Sequence, residues 1–452
     1  MEYMIRFKHA HEEFRLAEVK ALAILEGVDL EIISYSPESP FCFVKLPSEA
    51  AAIKLVRRSI LVKTIYEVWG KGSTYPELHA SVRETSQHLW SSYMTCSFKF
   101  SVDSFQGSRT MKEQRELIEA FSFLAFEGPI KMNNAEQSFC IAEAWEAGAQ
   151  KRGIKVPDLV YLGRYLGSSS RDIVAKYDLK KRKYISTTSM DAELALVTAN
   201  ITLAAPGKLF YDPFVGTGSF MVASAHFGAE AFGSDIDGRS IRGKGKASLL
   251  GNFTQYGLIN QFGDTFIADI THTPLRATRL FDGILCDPPY GVREGMKVLG
   301  SRDPTIPKVP IIKEGEDKPH HLHDDYIPPK KPYSFLQMLD DILDFAALSL
   351  VDNGRLSFWM PTANDEDTEL SIPQHPWLVV TSVCTQAFNK WSRRLITYRR
   401  LPDSEVDKEV IRDRRAKESG VKADDLNPFR KKYFMGFKPQ DLPPSTKEVN
   451  GL

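Results

Sequence analysis

Apolar and polar positions near the start of the chain repeat with two different periods. Residues 3–7 and 40–46 show the two-residue alternation that is typical of half-buried strands. Residues 11–26 instead carry apolar side chains at helical spacing, as do residues 48–58, and a strand-like run follows at 61–69. The pattern therefore predicts strands and helices in an order close to βαββαβ.

That order predicts a small ferredoxin-like α+β unit over residues 1–72. Such units bind RNA, metals or other proteins, so this one alone indicates no function. Residues 73–175 continue the α+β pattern, with a strand at 97–102, an amphipathic helix at 111–121 and a strand at 138–142. We interpret this second stretch as a separate α+β domain.

A basic run follows in the segment 176–186. Lys180, Lys181, Arg182 and Lys183 lie there between two tyrosines, a composition that suits contact with a phosphate backbone. A solvated linker between domains explains the same run equally well, because most charge runs are simply hydrated. Two further basic residues on predicted strands are candidates for contact with RNA: Lys99 and Arg164.

The second half of the chain opens with a buried strand at 208–211 that leads into a glycine-containing loop. Gly216 and Gly218 allow the backbone to pass close to a ligand, and the helix that begins near Ser219 offers free N–H groups. Met221 stands where the dinucleotide fingerprint has its third glycine, so a pyrophosphate-binding loop is disfavoured.

Acidic residues close three successive strands of this half. Asp212 follows the first strand, Asp235 the second, at 230–234, and Asp269 the third, at about 265–268. An acidic residue after the second strand can accept from both ribose hydroxyls of an adenosine, and Asp269 is placed to accept from the adenine amine. The repeated alternation of strand and helix predicts a doubly wound parallel sheet.

The fourth strand, at 281–286, runs into Asp287-Pro288-Pro289-Tyr290. Two prolines end both helix and sheet pairing, so the motif forms a rigid turn at the carboxyl end of a strand. The carboxylate of Asp287, the carbonyl of Pro288 and the ring of Tyr290 suit the binding of a planar base by its face and its exocyclic amine. The alternative is a Pro-Pro turn that merely ends the strand.

Composition narrows the setting. Lys plus Arg and Asp plus Glu both number 58, so any polyanion must be held by local basic patches. The five cysteines show no CxxC pair, which argues against disulfides and structural zinc and favours a reducing compartment. No run of eighteen apolar residues and no signal-peptide layout is seen, so we expect a cytoplasmic protein.

The segment 291–332 is rich in Pro, Lys, Asp and Glu, which predicts a mobile insert beside the candidate site. Residues 320–325 include three histidines, but no cysteine is near and we predict no metal site. A helix is predicted at 333–350, a buried strand at 354–360 and a closing antiparallel pair at 378–384 and 394–401. After a charged stretch at 403–425, residues 429–437 are expected to dock back onto the domain.

Two motifs together resemble those of class I S-adenosylmethionine-dependent methyltransferases of the amino-methylating kind: Asp-Pro-Phe-Val-Gly-Thr-Gly-Ser at 212–219 and the Asp-Pro-Pro-Tyr turn. Residues 187–194 resemble the extra helix that closes the cofactor pocket in that group. The region before them is similar to a THUMP RNA-binding module behind a ferredoxin-like domain. As a whole the chain resembles the THUMP-containing tRNA guanine-N2 methyltransferases.

This resemblance implies a Rossmann-like methyltransferase domain over 187–440, interrupted by the insert and followed by a tail at 441–452. The implied activity is methyl transfer from S-adenosylmethionine to the N2 amine of the guanosine at tRNA position 10, with the base flipped out of its stem. The implied catalytic residues are those of the turn: Asp287, Pro288, Pro289 and Tyr290. The implied cofactor residues are Thr188, Ser189, Asp212, Phe214, Gly216, Gly218, Asp235, Ile236, Asp237 and Asp269.

The resemblance also implies a partner. Enzymes similar to this one pair with a small zinc-binding activator subunit that extends the sheet. We expect it at the edge strand near 262–269, where Phe262, Phe266 and Ile267 would otherwise invite aggregation. Competing readings are an N6-adenine methyltransferase on RNA or DNA, a nicotinamide or flavin enzyme, and a non-catalytic RNA-binding protein.

Overall fold

The structure, a computed structural model, describes residues 1–292, 296–300, 328–363, 372–388, 391–406 and 427–435, with the single residues 312, 317, 319 and 322. The chain divides into two compact units, residues 1–173 and 174–452. No helix in the described ranges is long and apolar enough to cross a membrane.

The first unit is built on one seven-stranded sheet. Its strands are β1 (Glu2–Phe7), β2 (Glu31–Tyr35), β3 (Phe41–Lys45), β4 (Val62–Gly72), β5 (Phe98–Phe105), β6 (Gln137–Ala144) and β7 (Leu159–Ser168). Its helices are α1 (Arg15–Glu26), α2 (Glu49–Val56), α3 (Tyr75–Ser86) and α4 (Met111–Glu119). The predicted βαββαβ order of the first part is confirmed, and it includes β2, which the sequence pattern did not locate.

The strand order of this sheet is β2-β3-β1-β4-β7-β6-β5. The long strand β4 pairs antiparallel with β1 on one side and with β7 on the other, so the sheet continues past the boundary predicted at residue 72. Beyond β4, a cluster of aromatic and aliphatic side chains around Trp69 and Phe139 fills the core between the sheet and α3. That the two parts act as separate domains stays a prediction.

The second unit also has a seven-stranded sheet. Its strands are β8 (Leu209–Asp212), β9 (Glu230–Asp235), β10 (Phe262–Ile267), β11 (Phe281–Cys286), β14 (Leu350–Ala363), β15 (Leu378–Ala387) and β16 (Trp391–Arg400), with a separate ribbon of β12 (Lys297–Leu299) and β13 (Lys330–Pro332). The helices are α5 (Ile173–Tyr177), α6 (Ala192–Ile201), α7 (Ser219–His226), α8 (Gly238–Arg242), α9 (Leu249–Tyr256), α10 (Phe335–Ser349) and α11 (Pro428–Met435).

The order in this sheet is β10-β9-β8-β11-β14-β16-β15. The first five strands are parallel, and β16 runs antiparallel to both of its neighbours. The doubly wound sheet, its closing antiparallel pair and the edge position of β10 are thereby confirmed. Helix α10 packs Phe335, Leu339 and Leu343 into the core beneath the central strands.

The segment 291–332 is not irregular at its ends. The ribbon strands β12 and β13 pair antiparallel, and Met296 and Val298 are buried in the core of the second unit. The absence of apolar periodicity was misleading here because a three-residue strand is too short to show a period. The histidine-containing stretch at 320–325 and the charged stretch at 407–425 lie largely outside the described residues.

Candidate active site

Four aspartates lie at the carboxyl ends of neighbouring strands in the second sheet. Since β8, β9, β10 and β11 are parallel and adjacent, the residues that follow their carboxyl ends lie side by side. Those residues are Asp212, Asp235, Asp269 and Asp287. Strand β8 has its sequence successor β9 on one side and β11 on the other, so the strand order reverses at β8. The four aspartates lie at the carboxyl ends of the strands around this reversal. Open α/β sheets bind their ligands at such a point.

The glycine loop after β8 is tied to the end of β9. Gly216 and Gly218 have φ angles of 49° and 82°, which only glycine adopts without strain. The backbone N–H of Gly216 donates to Asp235 Oδ2 at 2.9 Å, and the N–H of Asp237 donates to Oδ1 at 2.8 Å. The carboxylate of Asp235 thus fixes both loops and keeps lone pairs that can accept further hydrogen bonds.

Asp212 is a buried carboxylate with little compensation. Asp212 is 2% exposed. Within the described residues, its side chain accepts one hydrogen bond, from the N–H of Phe214 at 2.9 Å. Burial raises the pKa of Asp212 well above its ordinary value, and the charges of Asp235 and Asp287 raise it further. A cationic donor placed here would therefore be bound strongly, as an ammonium group would be.

The segment before α6 is fastened over the glycine loop. Ser189 Oγ and Thr217 Oγ1 are hydrogen-bonded at 2.7 Å. Asn252 of α9 bridges the same two stretches, because its amide donates to the carbonyls of Tyr184 at 2.8 Å and of Thr217 at 3.2 Å. Thr188 is exposed beside this contact. Asn252 was not predicted, since nothing in the sequence marks a helical asparagine as a bridge.

The third strand end contacts the ribbon. Asp269 accepts from the N–H of Thr271 at 2.8 Å and also from the N–H of Leu299 in β12. Burial raises the pKa of Asp269, but the hydrogen bonds from Leu299, Thr271 and His272 outweigh it, so the pKa is lower than usual. The insert therefore reaches the end of the site that was assigned to adenine.

The residues after β9 are less available than predicted. Asp237 caps α8 and forms an ion pair with Arg239 at 2.7 Å, which lowers the pKa of Asp237 to about 2. Ile236, between the two aspartates, is half-buried and is suited to contact with the face of a base. Asp235, the glycine loop and buried Asp212 together fit a nucleoside that carries an ammonium group.

The Asp-Pro-Pro-Tyr turn is closed by a short internal hydrogen bond. The hydroxyl of Tyr290 donates to Asp287 Oδ1 at 2.5 Å. Burial raises the pKa of Asp287 to about 6, against the opposing effects of Arg393 and of this hydrogen bond. Pro288 is buried and Pro289 is exposed. The aspartate is thus a carboxylate at neutral pH that is poised near its titration point.

Strand β16 brings a cation and an aromatic pair to the turn. Arg393 Nη1 lies 3.8 Å from Asp287 Oδ2, and the side chain of Arg393 is only 15% exposed. The rings of Phe388 and Trp391 are stacked at 4.6 Å, and Trp391 meets the ring of Tyr290 edge-on at 6.1 Å. Arg393 therefore faces the aspartate and adds little to the exposed surface.

The C-terminal helix α11 holds the other side of the turn. Asn427 is buried, and its amide donates to the carbonyl of Tyr290 at 2.9 Å. Arg430 Nη1 donates to the carbonyl of Gly291 and, at 2.9 Å, to that of Val292. Phe429 is 3% exposed and packs against Trp391 at 5.8 Å. The predicted docking of this segment is confirmed.

Two of the predicted RNA-binding residues are not on the surface. Arg164 is buried and donates to Glu67 at 2.8 Å and to Glu49 at 2.6 Å. Arg182 is buried and donates to Ser219 Oγ at 2.9 Å. Both cations are used inside the fold, because a buried guanidinium needs partners. The remaining candidates are half-buried Lys99 and exposed Lys180, Lys181 and Lys183.

Within the described residues, no group of three or more His, Cys, Asp or Glu side chains could hold a metal ion.

Comparisons with known proteins place this site in a family. Residues 1–171 match a family described as "Tmrp11 THUMP N-terminal domain", and residues 180–300 match "RMKL-like, methyltransferase domain". The chain is 44% identical over 403 residues to "tRNA (guanine(10)-N(2))-methyltransferase" of Saccharomyces cerevisiae, covering 88% of this chain and 92% of that protein. It is 33% identical over 457 residues to "tRNA (guanine(10)-N(2))-methyltransferase TRMT11" of Homo sapiens, covering 96% and 95%. The chain belongs to the tRNA (guanine(10)-N(2))-methyltransferase family.

Membership of this family confirms the predicted fold class, a THUMP-type N-terminal region followed by a Rossmann-like methyltransferase domain. Among solved structures, TrmN from Thermus thermophilus aligns with 89% of this chain and 100% of its own, at 15% identity and a TM-score of 0.41. That likeness is too weak to support an argument about function.

Proposed function

We propose that this chain transfers a methyl group from S-adenosylmethionine to the exocyclic N2 amine of the guanosine at position 10 of tRNA. The proposal rests on two features that lie together at the carboxyl ends of the parallel strands. One is the row of acidic strand ends beside the glycine loop, and the other is the Asp287–Tyr290 turn. Family membership supports the same substrate.

The cofactor is assigned to the end of the site around β8 and β9. Asp212 would accept from the ammonium group of the methionine moiety, with Phe214, Gly216 and Gly218 lining its path. Asp235 would accept from the ribose hydroxyls, while Ile236 would contact adenine and Asp269 would take its amine. Burial of Asp212 supports this assignment, because the positive charge of an ammonium group would offset the cost of keeping the negative charge of the carboxylate away from water. Ser189 and Thr188 would cover the pocket through the contact with Thr217.

S-adenosylmethionine, when bound, supplies an electrophilic methyl group. The guanine amine is a poor nucleophile because its lone pair is delocalised into the ring. Asp287 and the carbonyl of Pro288 would each accept one N–H of that amine, which favours a tetrahedral nitrogen and stabilises its developing positive charge. Asp287 can then also take the released proton, since its pKa of about 6 leaves it ionised at neutral pH.

Recognition of the RNA is divided between the two halves of the chain in this proposal. Tyr290 would stack on the flipped base, and unstacking costs on the order of a few kcal/mol. The THUMP-type unit would bind the rest of the tRNA, and the exposed lysines Lys180, Lys181 and Lys183 would contact its phosphates. Two of the lysines are weaker candidates because their Nζ atoms already donate to backbone carbonyls: exposed Lys181 to Ala175 at 2.6 Å and half-buried Lys99 to Met132 at 3.5 Å.

We further propose a small zinc-binding activator subunit at the edge strand β10 and a cytoplasmic location. In the described part of the sheet, β10 pairs with β9 alone. Phe262 and Phe266 pack inward against Phe253 and Tyr211, so the exposed apolar group of this strand is Ile267, at 42%. Strand addition by a partner would cover both Ile267 and the unpaired backbone groups. Full activity and good solubility of the isolated chain would contradict this part.

The test is methyl transfer from labelled S-adenosylmethionine to unmodified tRNA, with the activator subunit present, followed by digestion to nucleosides. We expect label in N2-methylguanosine. Asp287→Ala should lower the rate at which label enters N2-methylguanosine by a factor of about 100 or more, while cofactor binding is retained. Glu230→Ala is the matched control, since this exposed carboxylate lies at the amino end of β9, away from the carboxyl ends that form the site. Label in N6-methyladenosine would overturn the substrate.

A further inference from the structure

We propose that Arg393 donates a hydrogen bond to O6 of the target guanine and so selects guanine over other purines that carry an exocyclic amine. This inference rests on the function proposed above, because it takes Asp287 as the group that binds the N2 amine. Its basis is the position of the Arg393 guanidinium relative to that carboxylate.

The guanidinium is held in place by contacts on several sides. Its Nε donates to Gln386 Oε1 at 2.7 Å, and its plane lies over the buried ring of Trp359 at 4.5 Å. Phe388 approaches it at 5.7 Å. Arginine fixed by an aromatic face and a side-chain acceptor presents its remaining N–H groups in a constant direction. Specificity requires this rigidity, because a mobile lysine-like cation would accept many arrangements.

The same guanidinium faces the carboxylate of Asp287, which is proposed to bind the amine, but does not form a direct hydrogen bond with it. The separation of 3.8 Å between Nη1 and Asp287 Oδ2 is longer than a hydrogen bond. A ligand edge placed along this pair therefore meets an acceptor first and a donor several ångströms further on. With only 15% of its side chain exposed, Arg393 acts at this turn and is not part of a general basic surface.

Guanine matches that arrangement. Its Watson–Crick edge carries N–H donors at N2 and N1 and an acceptor, O6, at the far end. Arginine is the side chain most often used to read O6 of guanine. In adenine the amine lies next to the ring acceptor N1, so a donor several ångströms from the amine would meet no acceptor on that edge. The pair of Asp287 and Arg393 thus favours guanine through O6.

The experiment uses two tRNA substrates that differ at the target base, guanine or 2-aminopurine. The latter keeps the 2-amino group but lacks both O6 and the proton on N1. The full chain with its activator subunit is assayed for kcat/KM on both. The variants are Arg393→Gln, which removes the charge, Arg393→Lys, which keeps the charge without the fork, and Arg399→Gln. Arg399 is the matched control because it lies on the same strand and pairs with Asn353 and Glu405. Cofactor binding by each variant shows that it is folded.

We expect the wild-type preference for guanine over 2-aminopurine to fall about tenfold to a hundredfold in Arg393→Gln, which is the size of a hydrogen bond to a charged donor. Arg399→Gln should leave the preference unchanged. Differences in base pairing between the two substrates act equally on the wild-type enzyme and on each variant. A change in the ratio that is specific to Arg393→Gln therefore measures the interaction of Arg393 with the edge of the base that carries O6 and N1.

An equal fall on both substrates would overturn the inference, because Arg393 would then act only through Asp287 or the fold. If Arg393→Gln fails to bind cofactor, Arg393→Lys decides the matter by the same ratio. A wild-type enzyme that forms no N2-methylguanosine on the guanine substrate would instead defeat the proposed function.

Discussion

Asp287 combines a half-buried position with a role that needs its charge. Burial raises the pKa of Asp287 to about 6, while Arg393 and the Tyr290 hydroxyl limit the shift. Acceptance of one N–H of the amine, and then of the released proton, requires the ionised form of Asp287, so activity is present above this pKa and is lost as the pH falls through it.

We therefore predict that kcat/KM for tRNA falls about tenfold per pH unit below roughly pH 6. Arg393→Gln should move the midpoint to higher pH, because a charge that lowers the pKa of Asp287 is removed. Steady-state assays between pH 5 and 8 measure both profiles, with Glu230→Gln as the control. A midpoint that stays in place in Arg393→Gln would contradict the electrostatic coupling.

A buried ion pair in the first unit gives a stability prediction. Glu143 is fully buried and accepts from Arg109 Nη2 at 2.8 Å, from Tyr75 at 2.7 Å and from Ser104 at 2.5 Å. Burial raises the pKa of Glu143, but these hydrogen bonds lower it by more, so the net shift is downward. Its contribution to stability is therefore present above the unfolded-state pKa and is lost as the pH falls through the lower, folded-state value.

Glu143→Ala should destabilise the first unit by about 3–5 kcal/mol at neutral pH, since it leaves the largely covered guanidinium of Arg109, whose side chain is 12% exposed, without the fully buried carboxylate it pairs with. The free energy of opening of β6 and β7 amides, measured by hydrogen exchange, gives this value. Glu146→Ala is the control, because Glu146 is an exposed partner of Arg152 and should change stability by under about 1 kcal/mol. Equal effects of the two substitutions would show that the buried network adds nothing.

At the scale of residues, the sequence allowed the positions of the acidic residues at the strand ends to be predicted, but not which side chains contact them. Asp212, Asp235, Asp269 and Asp287 could be placed because each lies at or within two residues of the carboxyl end of a strand, and parallel strands bring these ends together. Arg393, by contrast, reaches Asp287 from a strand more than a hundred residues later, and no local pattern encodes that contact. Arg164 and Arg182 were misjudged for the same reason, since their partners are distant in sequence.

At the scale of elements, helix α11 supports the Asp-Pro-Pro-Tyr turn. Asn427 caps the helix with its side-chain oxygen, which accepts from the N–H of Arg430 at 2.9 Å, and donates to Tyr290 with its amide. Gly291 has a φ of 73°, and a Cβ at this position would lie 2.5 Å from Asn427 Nδ2. The turn, the glycine and the helix are therefore packed together without spare room.

Asn427→Ala should lower kcat for tRNA methylation by about tenfold or more, because the carbonyl of Tyr290 loses its donor and the turn is less well fixed. Binding of S-adenosylmethionine, measured by calorimetry, should be unchanged. Lys431→Ala is the matched control, since this residue of the same helix is exposed. A loss confined to KM for tRNA, with kcat intact, would point to RNA contact by α11.

The regular elements were predictable where they are long or repeated. The alternation of strand and helix from 208 to 286 gave the sheet, and the amphipathic run at 333–350 gave α10, because both depend on local periodicity. The strand β2 was not found because it is an edge strand whose five residues are largely exposed, so no buried face imposes an apolar alternation. The ribbon strands β12 and β13 were missed because three residues are too few to define a period.

At the scale of the whole molecule, the two units have separate sheets and separate cores. Every residue assigned to the cofactor and to the reacting amine lies in the second unit. The THUMP-type region lies in the first, together with its own hydrogen-bonded ion pairs. The division of the chain thus parallels the proposed division between chemistry and RNA binding.

We predict that a fragment of residues 174–452, with the activator subunit, binds S-adenosylmethionine with the affinity of the whole chain. Its kcat/KM on tRNA should fall by at least about 100-fold, because the THUMP-type region proposed to bind the rest of the tRNA is removed. Calorimetry and the nucleoside assay measure the two quantities. Retention of full activity by the fragment would place tRNA recognition in the second unit.

The tie between Asn427 and Tyr290 joins residues that are 137 positions apart. During synthesis the acidic strand ends and the Asp-Pro-Pro-Tyr motif leave the ribosome well before α11 does. Until residues 427–430 emerge, the carbonyls of Tyr290 and Val292 lack the donors that hold them in the finished protein. A nascent or prematurely terminated chain would therefore have the strand ends that bind the cofactor before it has the geometry that positions the amine, which makes catalytic competence depend on synthesis of residues 427–430.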